Sequence, residues 1–440
     1  MPDGRADTVT SRAFSTVLLA RLTRHGEFVK GILFASPRLS LPDRGRVPKK
    51  AKGEHMKRFL LPANLLACLA LALAPALFSG CGSETAPTQD AEGPFVYPED
   101  DWLEAAPEDL GMDRTRLQEL QYLFEAYTPT SLLVTRKGYV VWERYYRGYS
   151  RETTFEIFSA TKSFSSALAG IAVGDGLLRP DQPAADFIDQ WRPPDPRSAV
   201  RIRDILTMTS GLHWYWSEYA HIGLSFLPSP FGEDLLAYSL SLPLERPPGT
   251  HWTYNNTALM TLGWIIHRAT GMDIKSFADQ RLFGPIGMRS VSWLTDGYGN
   301  TYTFMGIHAT ARDLARFGYL YLRRGRWQGR QIVPEEWVVQ TTRTYNADLN
   351  PAYGYLWWVN GYSSDWQPME GEPPIHLPKK GYFFGYKAPH DPYPAYAAMG
   401  AFGQMIAVVP GLDLVMVRTG GSEFYDCRDV FDLLCGSVIR

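Results

Sequence analysis

The order of apolar and polar positions divides the chain into segments of two different periods. In residues 112–127, Leu117, Leu120, Leu123 and Phe124 recur three and four apart, the spacing of one buried stripe on a helix. Residues 131–135 and 139–145 are short β-branched and aromatic runs on either side of Arg136-Lys137-Gly138, a hairpin signature. Residues 163–173 are small or apolar on every side, which predicts a helix in the middle of a domain, stopped by Gly174-Asp175-Gly176. Further helices are expected over 202–209, closed by Ser210-Gly211, over 258–270, ended by Gly271, and after Thr310, an N-cap with Asp313 three residues on. Residues 353–359, 404–409 and 413–418 read as strands, with Pro410-Gly411 turning between the last two. Both ends of the folded part therefore supply strands and its middle supplies helices. The expected class is α/β in the α+β sense: an antiparallel sheet flanked by helices, with a mostly helical inserted subdomain.

The segments upstream have a different character. Residues 1–55 are arginine-rich and lack periodicity, and are expected to lie outside the mature protein. At Met56 a targeting pattern begins afresh: Lys57-Arg58, an apolar run over 59–78, then Ser79-Gly80-Cys81. Met56 is thus the expected start, with a signal over 56–80. Leu77-Phe-Ser-Gly-Cys81 resembles a bacterial lipoprotein signal, which implies a lipid on Cys81, a membrane anchor and a place in the cell envelope; Gly82 points to the outer membrane. Pro62, Asn64 and Pro75 interrupt what would otherwise be a minimal membrane-spanning helix. Residues 81–106 are expected to be a flexible tether, rich in Ser, Thr, Pro and acidic residues, and 107–440 the folded domain.

Composition narrows the partners. With 44 basic and 46 acidic residues the formal charge is −2, and no basic block stands out in the body of the chain, so nucleic acid is not an expected partner. The 13 Trp and 24 Tyr gather around 213–226 and 353–396, as an aromatic-walled cleft requires. No Cys-x-x-Cys or His-Glu-x-x-His pattern exists, so neither a metal nor another cofactor is expected. Cys427 and Cys435 fall on one expected helix, about 12 Å apart and too distant to be bridged.

The candidate chemistry starts at Ser159-Ala160-Thr161-Lys162. Residues three apart share a helix face, so the Lys162 amine can reach the Ser159 hydroxyl. Burial at the positive end of a helix disfavours the ammonium form, and a neutral amine can take a proton from serine. The Ser159 N–H would face the charge that builds up on an attacked carbonyl. Taken alone, the same pattern also suits a surface helix with a solvated lysine. Tyr254 and Asn256 lie on a loop entering a helix. A phenol near pKa 10 needs a neighbouring cation to act in proton transfer, and Asn256 alone reads equally well as a helix cap.

Ser159-x-x-Lys162, Tyr254-x-Asn256 and Gly400-Ala-Phe-Gly403-Gln404, in that order, resemble the motifs of the serine β-lactamase-like, penicillin-binding-protein-like family. The nearest branch holds class C β-lactamases, related esterases and 6-aminohexanoate-dimer hydrolases. Arg203-Asp-Ile-Leu-Thr-Met-Thr-Ser-Gly211, Pro248-Gly-Thr, Ala309-Thr-Ala-Arg-Asp-Leu-Ala-Arg316 and Tyr353-Gly-Tyr-Leu-Trp-Trp-Val359 support the likeness. The resemblance implies a β-lactamase-like fold, Ser159 as nucleophile, Lys162 as its activating partner and Tyr254 as proton shuttle, with Asn256 orienting substrate or the lysine. In the third motif Ala401 and Phe402 stand where the family commonly has Lys, His or Tyr and then Thr or Gly; only Gly403 is kept. Gly403 would let substrate lie along the strand and Gln404 would supply the second oxyanion N–H. Phe402, Trp214 and Tyr215 would line the substrate cleft, whereas Lys379, Lys380, Lys387 and His390 are expected to be solvated loop charges. The missing cation argues against substrates bearing a carboxylate. The expected activity is hydrolysis of a small ester or amide through an acyl-enzyme on Ser159. The rivals are a β-lactamase, a D-alanyl-D-alanine carboxypeptidase and a non-catalytic envelope lipoprotein that only binds.

Overall fold

Lys137 and Gly138 both have positive φ (51° and 86°), the conformation that suits a tight turn between right-twisted strands. In the computed structural model, which describes residues 95–214, 234–363, 381–384, 394–421 and 427–439, that turn joins the first two strands of a six-stranded sheet. The strands are β1 (Ser131–Arg136), β2 (Tyr139–Tyr145), β3 (Trp358–Val359), β4 (Tyr396–Gly400), β5 (Gln404–Val409) and β6 (Leu414–Thr419). They run in the order β2-β1-β6-β5-β4-β3, and every neighbouring pair is antiparallel. Val134 stands opposite Met416 on one side and Trp142 on the other. All residues of β5 and β6 are buried, which explains why they read as continuous apolar runs: both faces of the sheet are covered.

Five longer helices do most of the covering: α1 (Arg114–Glu125), α2 (Thr161–Gly174), α3 (Asn256–Thr270), α4 (Ala311–Leu322) and α5 (Cys427–Gly436). Thr310 caps α4 as expected, accepting the Asp313 N–H at 3.1 Å. Helix α4 lies so close to one face that a Cβ on Gly318 would meet Val415 Cγ1 at 2.5 Å and Ile406 Cγ2 at 2.9 Å. Gly318→Ala is therefore expected to destabilise the fold by about 1–3 kcal/mol through overpacking, read from the midpoint of urea unfolding. On the opposite face, Arg418 of β6 sits with its guanidinium 5.0 Å from the Phe124 ring of α1. Helix α2 is buried from Thr161 to Ala172. Its small residues allow this: a Cβ on Gly170 would lie 2.3 Å from the Trp337 indole. Cys427 opens α5 and Cys435 lies near its end.

The folded part begins earlier than residue 107. Trp102 is buried and its indole N–H donates to the Arg312 carbonyl at 3.1 Å. The Arg316 guanidinium donates to the carbonyls of Pro98, Glu99 and Asp100, and Arg312 bonds Asp101 at 2.7 Å and Glu143 at 2.6 Å. The acidic, proline-containing composition of residues 98–104, which suggested a tether, is what two buried arginines of α4 need as partners. Two other expectations change. Only Trp358–Val359 of the run 353–359 is strand, because the chain turns at Leu356 (φ 63°), where the Gly354 N–H donates to the Trp357 carbonyl at 2.9 Å. The helix expected over 202–209 is Ile202–Leu206, and Met208 (φ 60°) follows it in a left-handed conformation.

Candidate active site

Ser159 is positioned from its backbone. Phe155–Glu156 pairs with Ile307–Ala309, and the Ile157 N–H donates to the Ile307 carbonyl at 2.9 Å. Phe158 then takes a positive φ of 46°, and the turn Phe158–Ala160 delivers Ser159 to the start of α2. One turn on, Lys162 is 1% exposed. Its Nζ lies 2.8 Å from Ser159 Oγ and 3.1 Å from the Phe304 carbonyl oxygen. Burial holds the Lys162 ammonium well below its ordinary pKa of 10.5. A neutral amine keeps two hydrogens, one of which can go to the Phe304 carbonyl, and its lone pair can accept the Ser159 O–H. Sequence reasoning missed Phe304, since a carbonyl acceptor leaves no mark on residue type.

The Tyr254 ring comes to the same amine, with Nζ 4.6 Å from its centroid. Trp252, Tyr353 and Trp358 surround that ring at centroid distances of 6.1, 6.4 and 6.3 Å, Trp358 nearly parallel to it at 26°. Burial, with the neighbouring Tyr254 phenol, pushes the Tyr353 hydroxyl pKa well above 10.0. The helix cap belongs to Asn255, whose Oδ1 accepts the Ala258 N–H at 2.8 Å and whose amide donates to the carbonyls of Leu212 and His213. That leaves Asn256 for other work: it is buried in the first turn of α3, and among the described residues neither its Oδ1 nor its Nδ2 has a hydrogen-bond partner. Buried amide atoms of this kind are ordinarily hydrogen-bonded, which leaves Asn256 able to bind a substrate group.

The third motif is shifted from the expected one. The glycine that closes on the nucleophile is Gly400, at the end of β4, where a Cβ would lie 3.0 Å from both Ser159 N and Ala160 N and 2.2 Å from the Ile157 carbonyl oxygen. Gly403 faces the other way: its carbonyl accepts the buried Arg418 guanidinium, and a Cβ there would fall 1.6 Å from Arg418 Nη1. Gln404 starts β5, and its Oε1 accepts the Gly420 N–H at 3.1 Å. The amide that follows Gly400 in the chain is that of Ala401. Phe402 (φ 60°) projects from the β4–β5 turn and meets Phe158 edge to face at 5.0 Å. Two glycines three apart gave no sequence clue to which would meet the serine, because strand register is set by distant partners.

Of the remaining expected residues, Trp214 is half-buried beside the Asn255-bonded His213, and the described contacts do not bring it to Ser159. Tyr215, Cys81, Lys379, Lys380, Lys387 and His390 lie outside the described residues.

The chain is 24% identical over 233 residues to the 6-aminohexanoate-dimer hydrolase of Paenarthrobacter ureafaciens, covering 51% of this chain and 59% of that protein. It is 31% identical over 166 residues to Esterase EstB of Burkholderia gladioli, covering 34% and 41%. The alignments thus span about half the length of these named relatives. A class C beta-lactamase structure superposes with a TM-score of 0.53 at 19% identity, over 75% of this chain and 94% of that one, which supports the fold. The Beta-lactamase family model matches residues 126–419, well over half of the chain, with Ser159, Lys162, Tyr254 and Gly400 inside the match. The chain belongs to the Beta-lactamase family and is a serine hydrolase of that fold.

Proposed function

We propose that this protein cleaves an ester or amide bond through an acyl-enzyme on Ser159. The observation that carries the reading is the 2.8 Å approach of Lys162 Nζ to Ser159 Oγ in a place where burial favours the neutral amine. Lys162 accepts the hydroxyl proton as Ser159 Oγ bonds to the carbonyl carbon. The Ser159 and Ala401 N–H groups receive the developing oxyanion. The bond to the leaving group breaks as Tyr254 passes a proton to its oxygen or nitrogen, and Asn256 donates to the substrate carbonyl or amide. Water then adds to the acyl carbon, loses a proton to the same base and releases the acid, restoring Ser159. The names of the two relatives, an esterase and a 6-aminohexanoate-dimer hydrolase, support this substrate range.

Ser159→Ala should lower turnover of a p-nitrophenyl ester by at least about 10⁴-fold, and should abolish labelling of the intact protein by a fluorophosphonate. Equal turnover in variant and parent would defeat the proposal. Exposure to penicillin separates the rivals. A long-lived adduct would favour a D-alanyl peptidase and rapid hydrolysis a β-lactamase, whereas labelling by neither reagent would favour a protein that only binds. The neutral run Tyr396-Ala-Ala-Met-Gly-Ala-Phe-Gly403, with no cation for a carboxylate, weighs against the first two. We further propose that the protein is exported and held to a membrane through a lipid on Cys81; mass spectrometry of the purified N-terminal peptide reads this directly.

A further inference from the structure

Phe158 and Phe402 flank the two amides assigned to the oxyanion, one just before Ser159 and the other just after Ala401. Both have positive φ, at 46° and 60°, in a region that bulky side chains seldom occupy. Strained positions of this kind persist where the surroundings hold them and gather at binding sites. The two rings meet 5.0 Å apart and inclined at 62°. Phe402 nevertheless leaves 42% of its surface open. An apolar face is thus exposed at the mouth of a site whose adjoining strand and turn, residues 396–403, carry no charged side chain.

We infer that the Phe158–Phe402 pair is the acyl-binding surface, and that it selects substrates with an uncharged, extended apolar acyl group. This rests on the acyl-enzyme reading above. The tetrahedral carbon has four substituents. One is Ser159 Oγ and a second is the oxyanion between the amides. The leaving group must turn toward its proton donor, Tyr254, inside the box of Trp252, Tyr353 and Trp358. The acyl chain takes the remaining direction, past the amides and onto the two phenylalanines. A carboxylate at the end of that chain would lose water and meet no charged side chain of residues 396–403.

The test is a series of p-nitrophenyl esters from acetate to octanoate, measured on the full-length protein. For the native protein kcat/KM should rise about threefold per methylene until the rings are covered, so that octanoate exceeds acetate by at least about 30-fold. In Phe402→Ala the octanoate-to-acetate ratio should fall at least about tenfold, and in Phe402→Leu by an intermediate factor. Lengthening the alcohol of an acetate ester should leave the two variants and the native protein in the same ratio. A mono-p-nitrophenyl adipate should react about 100-fold more slowly than the hexanoate. An unchanged ratio in Phe402→Ala, or chain-length selection on the alcohol side, would overturn the assignment. With Ser159→Ala inactive, that outcome removes this inference alone; hydrolysis that survives Ser159→Ala removes the acyl-enzyme reading beneath it.

Discussion

Lys162→Met is expected to lower kcat/KM for an aryl ester by at least about 10³-fold. It should also remove the contribution that Lys162 makes to the dependence of melting temperature on pH as pH increases toward 10.5. Methionine is long and flexible enough to fill the lysine's place, so the loss of activity reports the loss of the base. The stability effect follows from proton linkage. In the folded protein the Lys162 pKa lies below its unfolded value of 10.5, because burial penalises the ammonium. Between those two pH values the unfolded chain binds more protons at this position than the folded one. Native stability therefore increases with pH across that window and is lost as pH falls toward the folded pKa. Methionine has no proton to exchange, so the variant lacks this slope. The missing hydrogen bonds to Ser159 Oγ and the Phe304 carbonyl shift its stability by an amount that does not depend on pH. Melting curves of both proteins between neutral pH and 10.5 give the comparison, and parallel slopes would mean that Lys162 is charged when folded. The same depressed pKa places the acid limb of the native kcat/KM profile below 10.5, with activity rising as pH increases through it.

Gly400→Ala is expected to lower kcat by about 10²-fold, the effect of losing one oxyanion donor, with KM changed less than about fivefold. The added Cβ would meet the Ile157 carbonyl oxygen at 2.2 Å and the Ser159 and Ala160 nitrogens at 3.0 Å. All three are backbone atoms of the nucleophile turn and cannot rotate away. The strand must retreat, taking the Ala401 amide with it. Gly403→Ala makes the contrast: with φ at 73° and Arg418 Nη1 at 1.6 Å, its main expected effect is a lower melting temperature. Steady-state kinetics and melting curves on the two variants distinguish the positions. A Gly400→Ala protein with kcat within about threefold of the parent would show that the end of β4 does not form the site.

What could be read from the residues was local. The Arg136-Lys137-Gly138 hairpin, the small-residue helix after Ser159 and the Thr310 cap all follow from spacing within a few residues, and each is where it was expected. Ser159 lies in the turn that leads into α2 and Lys162 in the first turn of that helix, so their meeting also needed no knowledge of distant contacts. Tyr254 reached the same amine from a loop almost a hundred residues away, and there the family likeness carried the expectation rather than periodicity. Gly400 and Gly403 could not be told apart, because only the pairing of β4 with β5 decides which of them abuts the serine. Strand β4 itself was hidden by Ala397-Ala398, a pair with weak strand preference. Asn255 and Asn256 posed the same kind of ambiguity one residue apart, and the helix start assigned the cap to the first. The arginines of α4 bind residues 98–104, the last part of the expected tether, a long-range pairing that composition does not encode.

Strand β6 lies between β1, from the first hairpin, and β5, from the late one. On a ribosome, the early hairpin must therefore wait for nearly the whole domain to be made before it gains its second neighbour. Until residues 414–419 emerge, β1 and β5 each present a bare row of amides and carbonyls, the kind of edge that invites pairing with other chains. A message cut short before that point yields two unjoined halves of a sheet rather than a weakened enzyme.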